Sequence, residues 1–225
     1  MTKLLELKNI SKTFPGVKAL QNVNLDLEAG EVLGLCGENG AGKSTLMKIL
    51  TGIYTADPGG EIWLEGRQVV VGGVNHAREL GLSIIHQELN MVPDLTVAKN
   101  LYLGRQGSHG AGWMNDAKLS RDAVELFERL GMNLDPTVRI GNLSVARQQM
   151  VEIARALSYN SRILVMDEPA AALAVGETET LFGMIRDFIT PETGLIYISH
   201  RMPEIEEITD RVSVLRDGQY IGTVT

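Results

Sequence analysis

Nine consecutive residues, Gly37-Glu38-Asn39-Gly40-Ala41-Gly42-Lys43-Ser44-Thr45, carry the chemistry that the rest of the chain has to serve. Gly37 and Gly42 bracket four residues, and Lys43 and Ser44 follow at once, which is the spacing of a phosphate-binding loop. Without Cβ atoms such a loop can turn its backbone N–H groups inward, and the helix that follows adds positive partial charge at its N-terminus. Lys43 would reach the β- and γ-phosphates of a nucleoside triphosphate. The Ser44 hydroxyl is a hard oxygen ligand of the kind Mg2+ takes while keeping several waters. A bare glycine-rich turn is the competing reading. The flanking runs argue against it: Val32-Leu33-Gly34-Leu35-Cys36 reads as a strand and Leu46-Met47-Lys48-Ile49-Leu50 as a helix.

Three further runs are short and almost wholly apolar: Ser83-Ile84-Ile85-His86-Gln87, Arg162 to Asp167, and Gly194 to Ser199. Such runs predict parallel strands covered on both faces. Ligands of an open parallel sheet bind beyond the carboxyl ends of its strands. Those ends carry Gln87, Asp167-Glu168 and His200. Taken singly, Gln87 reads as a loop amide, Asp167 as a cap and His200 as a partly exposed histidine. Lined up with the phosphate loop, they form one constellation. Asp167 would hold Mg2+, Glu168 would orient or deprotonate an attacking water, and His200 would donate a hydrogen bond to the γ-phosphate.

The elements that must position these groups follow from periodicity. Leu5 to Ile10 and Val23 to Glu28 alternate apolar and polar, as antiparallel strands with one wet face do. Gly60 to Glu65, turning at Gly66-Arg67 into Gln68 to Val71, joins the same small sheet. Phe14 lies on a loop beside it and is either core or a flat face for a purine ring. Asn115 or Asp116 caps a helix with Leu119, Ala123, Phe127 and Leu130 on one face and Gly131 as its stop. Ser144 caps the next, and Gly176 onward forms another with Leu181, Ile185, Phe188 and Ile189 inward. Gln106 to Gly112 reads as an exposed loop, and Asp217-Gly218 as a hairpin turn. The result is an α/β fold over residues 1–225, with a parallel-sheet core, an N-terminal antiparallel lobe and a helical insert from about Leu95 to Leu157.

Composition sets limits. The 225 residues carry a net charge of −7, with 44% hydrophobic and 22% charged residues. That suits a globular chain and argues against a broad nucleic-acid footprint, which needs a basic face. Cys36 is the sole cysteine, so no internal disulfide is available, and it reads as a small core residue at a strand end. No apolar run approaches the roughly 18 residues of a membrane span. The N-terminus lacks a secretory signal, which predicts a cytoplasmic chain unless a partner brings it to a membrane.

The five motifs, Gly37 to Thr45, Gln87, Leu143 to Arg147, Asp167-Glu168-Pro169 and His200, come in the order and spacing of the ATP-binding cassette (ABC) of transporters. The resemblance covers essentially the whole chain. It implies ATP and Mg2+ as ligands, Phe14 as the adenine-stacking aromatic, Gln87 as the sensor of Mg2+ and of the membrane partner, and Glu168 as the catalytic carboxylate. It also implies a head-to-tail partner cassette whose P-loop is capped by Leu143 to Arg147, with Ser144, Ala146 and Arg147 facing the nucleotide.

Phe14 to Leu20, Ile85 to Asn90, Ser144 to Leu157, Tyr197 to Met202 and Leu215 to Gly218 look most like the N-terminal cassette of monosaccharide importers, which carry two cassettes per chain. The implied role is ATP hydrolysis that powers a permease importing a sugar, at the inner face of the membrane. The permease would meet Leu89, Asn90, Met91 and Val92. Competing readings are an ATP-gated clamp on the ribosome or nucleic acid, and a regulatory module with no useful turnover.

Two departures stand out. Val145, Ala146 and Arg147 replace the usual two glycines and glutamine, while Ala170 and Ala174 stand where the family has threonine and aspartate. Arg147 in a first helical turn opposes the helix dipole unless an anion lies opposite. It is therefore either a contact for a partner's nucleotide or a solvent-facing arginine.

Overall fold

A computed structural model describes residues 3–85, 91–104, 115–159 and 161–225. In chain order the elements are β1 (Lys3–Phe14), β2 (Val17–Glu28), β3 (Val32–Cys36), α1 (Lys43–Leu50), β4 (Glu61–Leu64), β5 (Arg67–Val69), α2 (Val74–Glu79), β6 (Leu82–Ile85), α3 (Val97–Tyr102), α4 (Asp116–Arg129), α5 (Val145–Leu157), β7 (Ile163–Asp167), α6 (Val175–Phe188), β8 (Gly194–Ile198), α7 (Met202–Ile208), β9 (Arg211–Arg216) and β10 (Gln219–Val224). They fall into two units, Met1–His86 with Asn160–Glu168 and Phe188–Thr225, and Gln87–Tyr159 with Pro169–Asp187.

The first unit holds both sheets. A four-stranded sheet runs β2-β1-β4-β5, and a six-stranded sheet runs β10-β9-β3-β8-β7-β6. In the larger one, β9, β3, β8, β7 and β6 are parallel neighbours, with β10 antiparallel at the edge. The parallel strands are apolar because both faces are covered: Leu33, Leu35, Leu164, Ile196 and Ile198 are all fully buried. Each such side chain contributes roughly 2 kcal/mol of burial free energy.

The smaller sheet is longer than the alternation marks. Apolar alternation breaks at Asn9 and Asn22, which sit at φ 52° and 48°, and the β1–β2 ladder shifts register around them. Asparagine tolerates this left-handed conformation, so the irregularities are bulges and the strands continue through them. Asn9 donates its N–H to Asn24 Oδ1 at 3.0 Å, and Asn22 donates its N–H to Ser11 Oγ at 2.9 Å. The β4–β5 turn is Glu65-Gly66, one residue earlier than expected, with both residues at positive φ as a tight hairpin requires. Asp217-Gly218 turns β9 into β10 in the same way.

β3 is fixed at its start by ions and backbone. Glu31, 6% exposed, accepts from Arg211 Nε at 2.5 Å and Nη2 at 2.9 Å and from the Glu28 N–H at 2.6 Å. Asp210 Oδ2 accepts the Val32 N–H at 2.8 Å, and the Asp210 N–H returns to the Val32 carbonyl. The hydrogen bonds to Glu31 hold the Arg211 guanidinium well above its ordinary value, against a smaller opposing effect of burial.

The second unit is helical. Val97, Ala98, Leu101, Ala123, Leu126, Phe127, Ile140, Val151 and Ala154 form its core. Asn115 is the cap of α4, accepting from the Lys118 N–H, and Gly131 at φ 65° follows the helix as its stop. α6 buries Leu181, Phe182, Met184 and Ile185, while Phe188 and Ile189 are only half-buried. The expected inward stripe thus shifts toward the helix middle. The expected loop at Gln106 to Gly112 lies outside the described residues.

Candidate active site

The phosphate loop leaves the end of β3 and enters α1. Gly37 has φ 157°, and a Cβ there would collide with the Leu215 carbonyl oxygen. Gly42, the residue before α1, has φ 102°, and a Cβ there would lie 2.7 Å from the Ala19 carbonyl oxygen. Glycine is therefore required twice, by conformation and by space. Ala41 is buried, while Glu38, Asn39, Gly40 and Ser44 are exposed and Thr45 is half-buried. The Lys43 ammonium lies over the loop, donating to the Gly37 carbonyl at 2.6 Å and the Glu38 carbonyl at 3.1 Å. Among the described residues no side chain caps α1. Its first N–H groups and its dipole are the anion-binding feature of this turn.

The next two strands bring their ends to the same rim. β3 pairs with β8, and β8 with β7, all parallel, with Asp167 opposite Ile198. Glu168 follows β7 at φ 50° and donates its N–H to the Ile198 carbonyl at 2.9 Å. That backbone turns its side chain to His200, whose Nδ1 lies 2.9 Å from Glu168 Oε1. A carboxylate only accepts, so Nδ1 carries the hydrogen. Nε2 then accepts when the ring is neutral and donates when it is charged.

Asp167 is half-buried and Ser44 is exposed at the first turn of α1. These two hard oxygen donors suit Mg2+, which fills the rest of its shell from phosphate oxygens and water. The uncapped N–H groups at the start of α1, with the Lys43 ammonium over the loop, suit the phosphates themselves.

Phe14 is the last residue of β1, paired with Val17 across the Pro15-Gly16 turn, and so lies at a strand end where a loop was expected. Its ring is half-buried, edge-on to Tyr54 at 5.2 Å, with Lys12 Nζ 5.5 Å from its centroid. Gln87 lies outside the described residues, as do Leu89 and Asn90. Ser144, Ala146 and Arg147 belong to the second unit. Ser144 is the cap of α5, accepting from the Arg147 N–H at 3.3 Å. Arg147 is exposed and lines a cavity of about 150 Å3 with Met150, Glu177 and Thr180.

The ABC transporter family model matches residues 20–171, which include the phosphate loop, the Leu143 to Arg147 turn and Asp167-Glu168. This chain belongs to the ABC transporter family. It is 54% identical over 225 residues to a putative ribose/galactose/methyl galactoside import ATP-binding protein of Albidiferax ferrireducens, covering 100% of this chain and 44% of that protein. It is 52% identical over 224 residues to a ribose import ATP-binding protein of Burkholderia pseudomallei, covering 98% of this chain and 43% of that one. The chain thus spans less than half the length of these curated relatives. Among solved structures, an ATP-binding cassette of an ABC transporter in its ADP conformation superposes with a TM-score of 0.86 at 27% identity, covering 99% of this chain and 91% of that chain. The fold is the ABC cassette fold, as the motifs implied.

The motif reading missed buried polar residues that hold local structure together. Asn100 is fully buried and holds the segment after residue 91, accepting the Val92 N–H at 2.8 Å and donating to the carbonyls of Val92, Leu95 and Thr96. The available signal was a lone asparagine within the apolar stripe Val97, Ala98, Leu101. Glu204 offered only an i,i+3 spacing to Arg201, which many surface ion pairs share.

Proposed function

We propose that this ABC cassette binds Mg·ATP on the P-loop, closes against a second cassette and hydrolyses ATP to power a permease that imports a small solute, a monosaccharide by the names of its relatives. The second cassette is either the other half of a tandem chain or another copy. A cassette that powers import would work at the inner face of the membrane, and among the described residues no helix is long and apolar enough to cross a bilayer. The observation that carries the reading is the Glu168–His200 pair at the ends of β7 and β8, one strand away from the phosphate loop.

In this reading Gly37 to Thr45 bind the phosphates, Lys43 offsets charge that develops on the phosphoryl oxygens, and Phe14 stacks on the base. Ser44, Asp167 and Gln87 hold the metal. Glu168, held to His200 through Oε1, orients or deprotonates the water. His200 keeps Glu168 in place through Nδ1 and meets the γ-phosphate through Nε2, as a donor in its charged form. Ser144, Ala146 and Arg147 face the nucleotide of the partner cassette, where a phosphate would remove the clash between Arg147 and the α5 dipole.

Glu168→Gln tests this. ATP binding should survive while phosphate release falls by about a hundredfold or more, the scale of a lost general base. Retained turnover removes Glu168 from the mechanism. Stimulation of phosphate release by permease-containing membranes supports coupling to transport, and turnover indifferent to them counts against it.

A further inference from the structure

Behind His200 lies a buried carboxylate that the phosphate-binding set does not use. Glu204 on α7 is 7% exposed. Its Oε2 accepts the hydroxyls of Tyr197 at 3.0 Å and Ser199 at 2.9 Å, and its Oε1 accepts Arg201 Nη1 at 2.9 Å. A buried carboxylate costs several kcal/mol unless its oxygens are satisfied, and here three donors converge on them.

Glu204 is the third residue of α7, where a glutamate ordinarily reaches back to the N–H of the capping residue. That N–H, on Arg201, is taken instead by Ser199 Oγ at 3.1 Å. The carboxylate thereby grips the end of β8. Tyr197 is fully buried in that strand, and burial, with the Glu204 charge beside it, raises its hydroxyl far above the usual phenol range, so it remains a donor.

The consequence falls on the residue in between. The His200 side chain is 65% exposed, so packing cannot set its direction. Its two neighbours in sequence, Ser199 and Arg201, are both tied to one carboxylate. β8 is paired with β3 on one side and β7 on the other, so this anchor is in register with both the phosphate loop and Glu168. The geometry points to Glu204 as a positioning residue for His200: by clamping Ser199 and Arg201 to Tyr197 it sets the approach of the imidazole to Glu168. This rests on the ATPase reading above for its effect on turnover, though not for the geometry itself.

Glu204→Gln keeps the size but offers one acceptor oxygen where two were used, so either the guanidinium or the pair of hydroxyls loses its acceptor. In the full 225-residue chain, kcat at saturating Mg·ATP should fall by about tenfold while KM changes less than about twofold, the pattern of a group acting in the transition state only. In isotope-labelled protein without nucleotide, the His200 ring N–H signal should shift or broaden while that of His76 stays. Tyr197→Phe, which removes one hydroxyl and keeps the ring, should do the same more weakly and guards against a folding defect in the first variant. An unaltered His200 signal, or an unaltered kcat in both variants, overturns the inference. A parent chain that neither binds nor hydrolyses ATP overturns the ATPase reading instead, with the His200 signal still deciding the geometry.

Discussion

The starts of α1 and α5 do the same physical task by opposite means. At α1, Gly42 excludes every side chain, and no cap competes for the first N–H groups. At α5, Ser144 takes one N–H for itself and the exposed Arg147 sits in the first turn. The first end is closed to side chains by Leu20 and the Ala19 carbonyl and leaves its N–H groups uncapped. The second is finished by its own side chains and tolerates Val145 and Ala146 where its family carries glycine. A third start, that of α6, is less finished still. Glu177 reaches back to the Ala174 N–H at 2.9 Å, but Ala174 has no side chain to complete the reciprocal bond.

The contrast breaks first, and most severely, at the glycines. Gly42→Ala must push against the Ala19 carbonyl at an unfavourable φ, and should destabilise the chain by about 2–4 kcal/mol and abolish binding of a fluorescent ATP analogue. Denaturant midpoints and titration of the analogue would check this, and parent-like values would mean the cradle is softer than its geometry. Next, Ser144→Ala should lower stability by about 1 kcal/mol. The converse change, Ala174→Ser, should raise it by about 0.5–1 kcal/mol by completing the capping box at α6. Thermal unfolding of both variants would sharpen the ranking of the two starts.

Arg147→Gln should weaken ATP-driven dimerisation by about two- to fivefold and flatten its salt dependence, if the arginine meets phosphate across the dimer. Unchanged association at two ionic strengths would return Arg147 to solvent. The smallest effect belongs to the strand before the loop. Burial raises the Cys36 thiol, with Lys43 partly opposing it. The folded state therefore favours the protonated thiol. Its contribution is complete below the unfolded thiol value and is lost as pH rises through the folded one, so alkylation at mildly alkaline pH should be slower in the native than in the denatured chain.

The sequence made the rim of the parallel sheet legible because phosphate chemistry demands particular residues at fixed spacing, and because parallel strands leave continuous apolar runs. Gly37 to Thr45, Asp167-Glu168 and His200 fell where those rules put them. The antiparallel lobe was only partly legible. Asn9 and Asn22 interrupt the alternation, and a bulge and a strand end look alike until the partner strand is seen. Phe14 was placed on a loop for the same reason. The stripe of α6 was misjudged at its end, where burial depends on what covers the helix rather than on period. Asn100 and the Glu31–Arg211 pair were illegible because their partners are backbone groups or residues distant in sequence, and Glu204 because its nearby side-chain partners only converge once the chain turns from β8 into α7.

One feature of the phosphate loop reaches into biosynthesis. The Gly218 N–H donates to the Ala41 carbonyl at 3.2 Å, the Gln21 N–H donates to the Gly218 carbonyl at 2.7 Å, and the Leu215 carbonyl oxygen occupies the space a Cβ on Gly37 would need. The chain must be made as far as Gly218 before these supports exist. A nascent chain emerging from the ribosome thus carries its loop unbraced until β9 and β10 have been translated, and ATP can have no fully formed seat to hurry the earlier steps of folding.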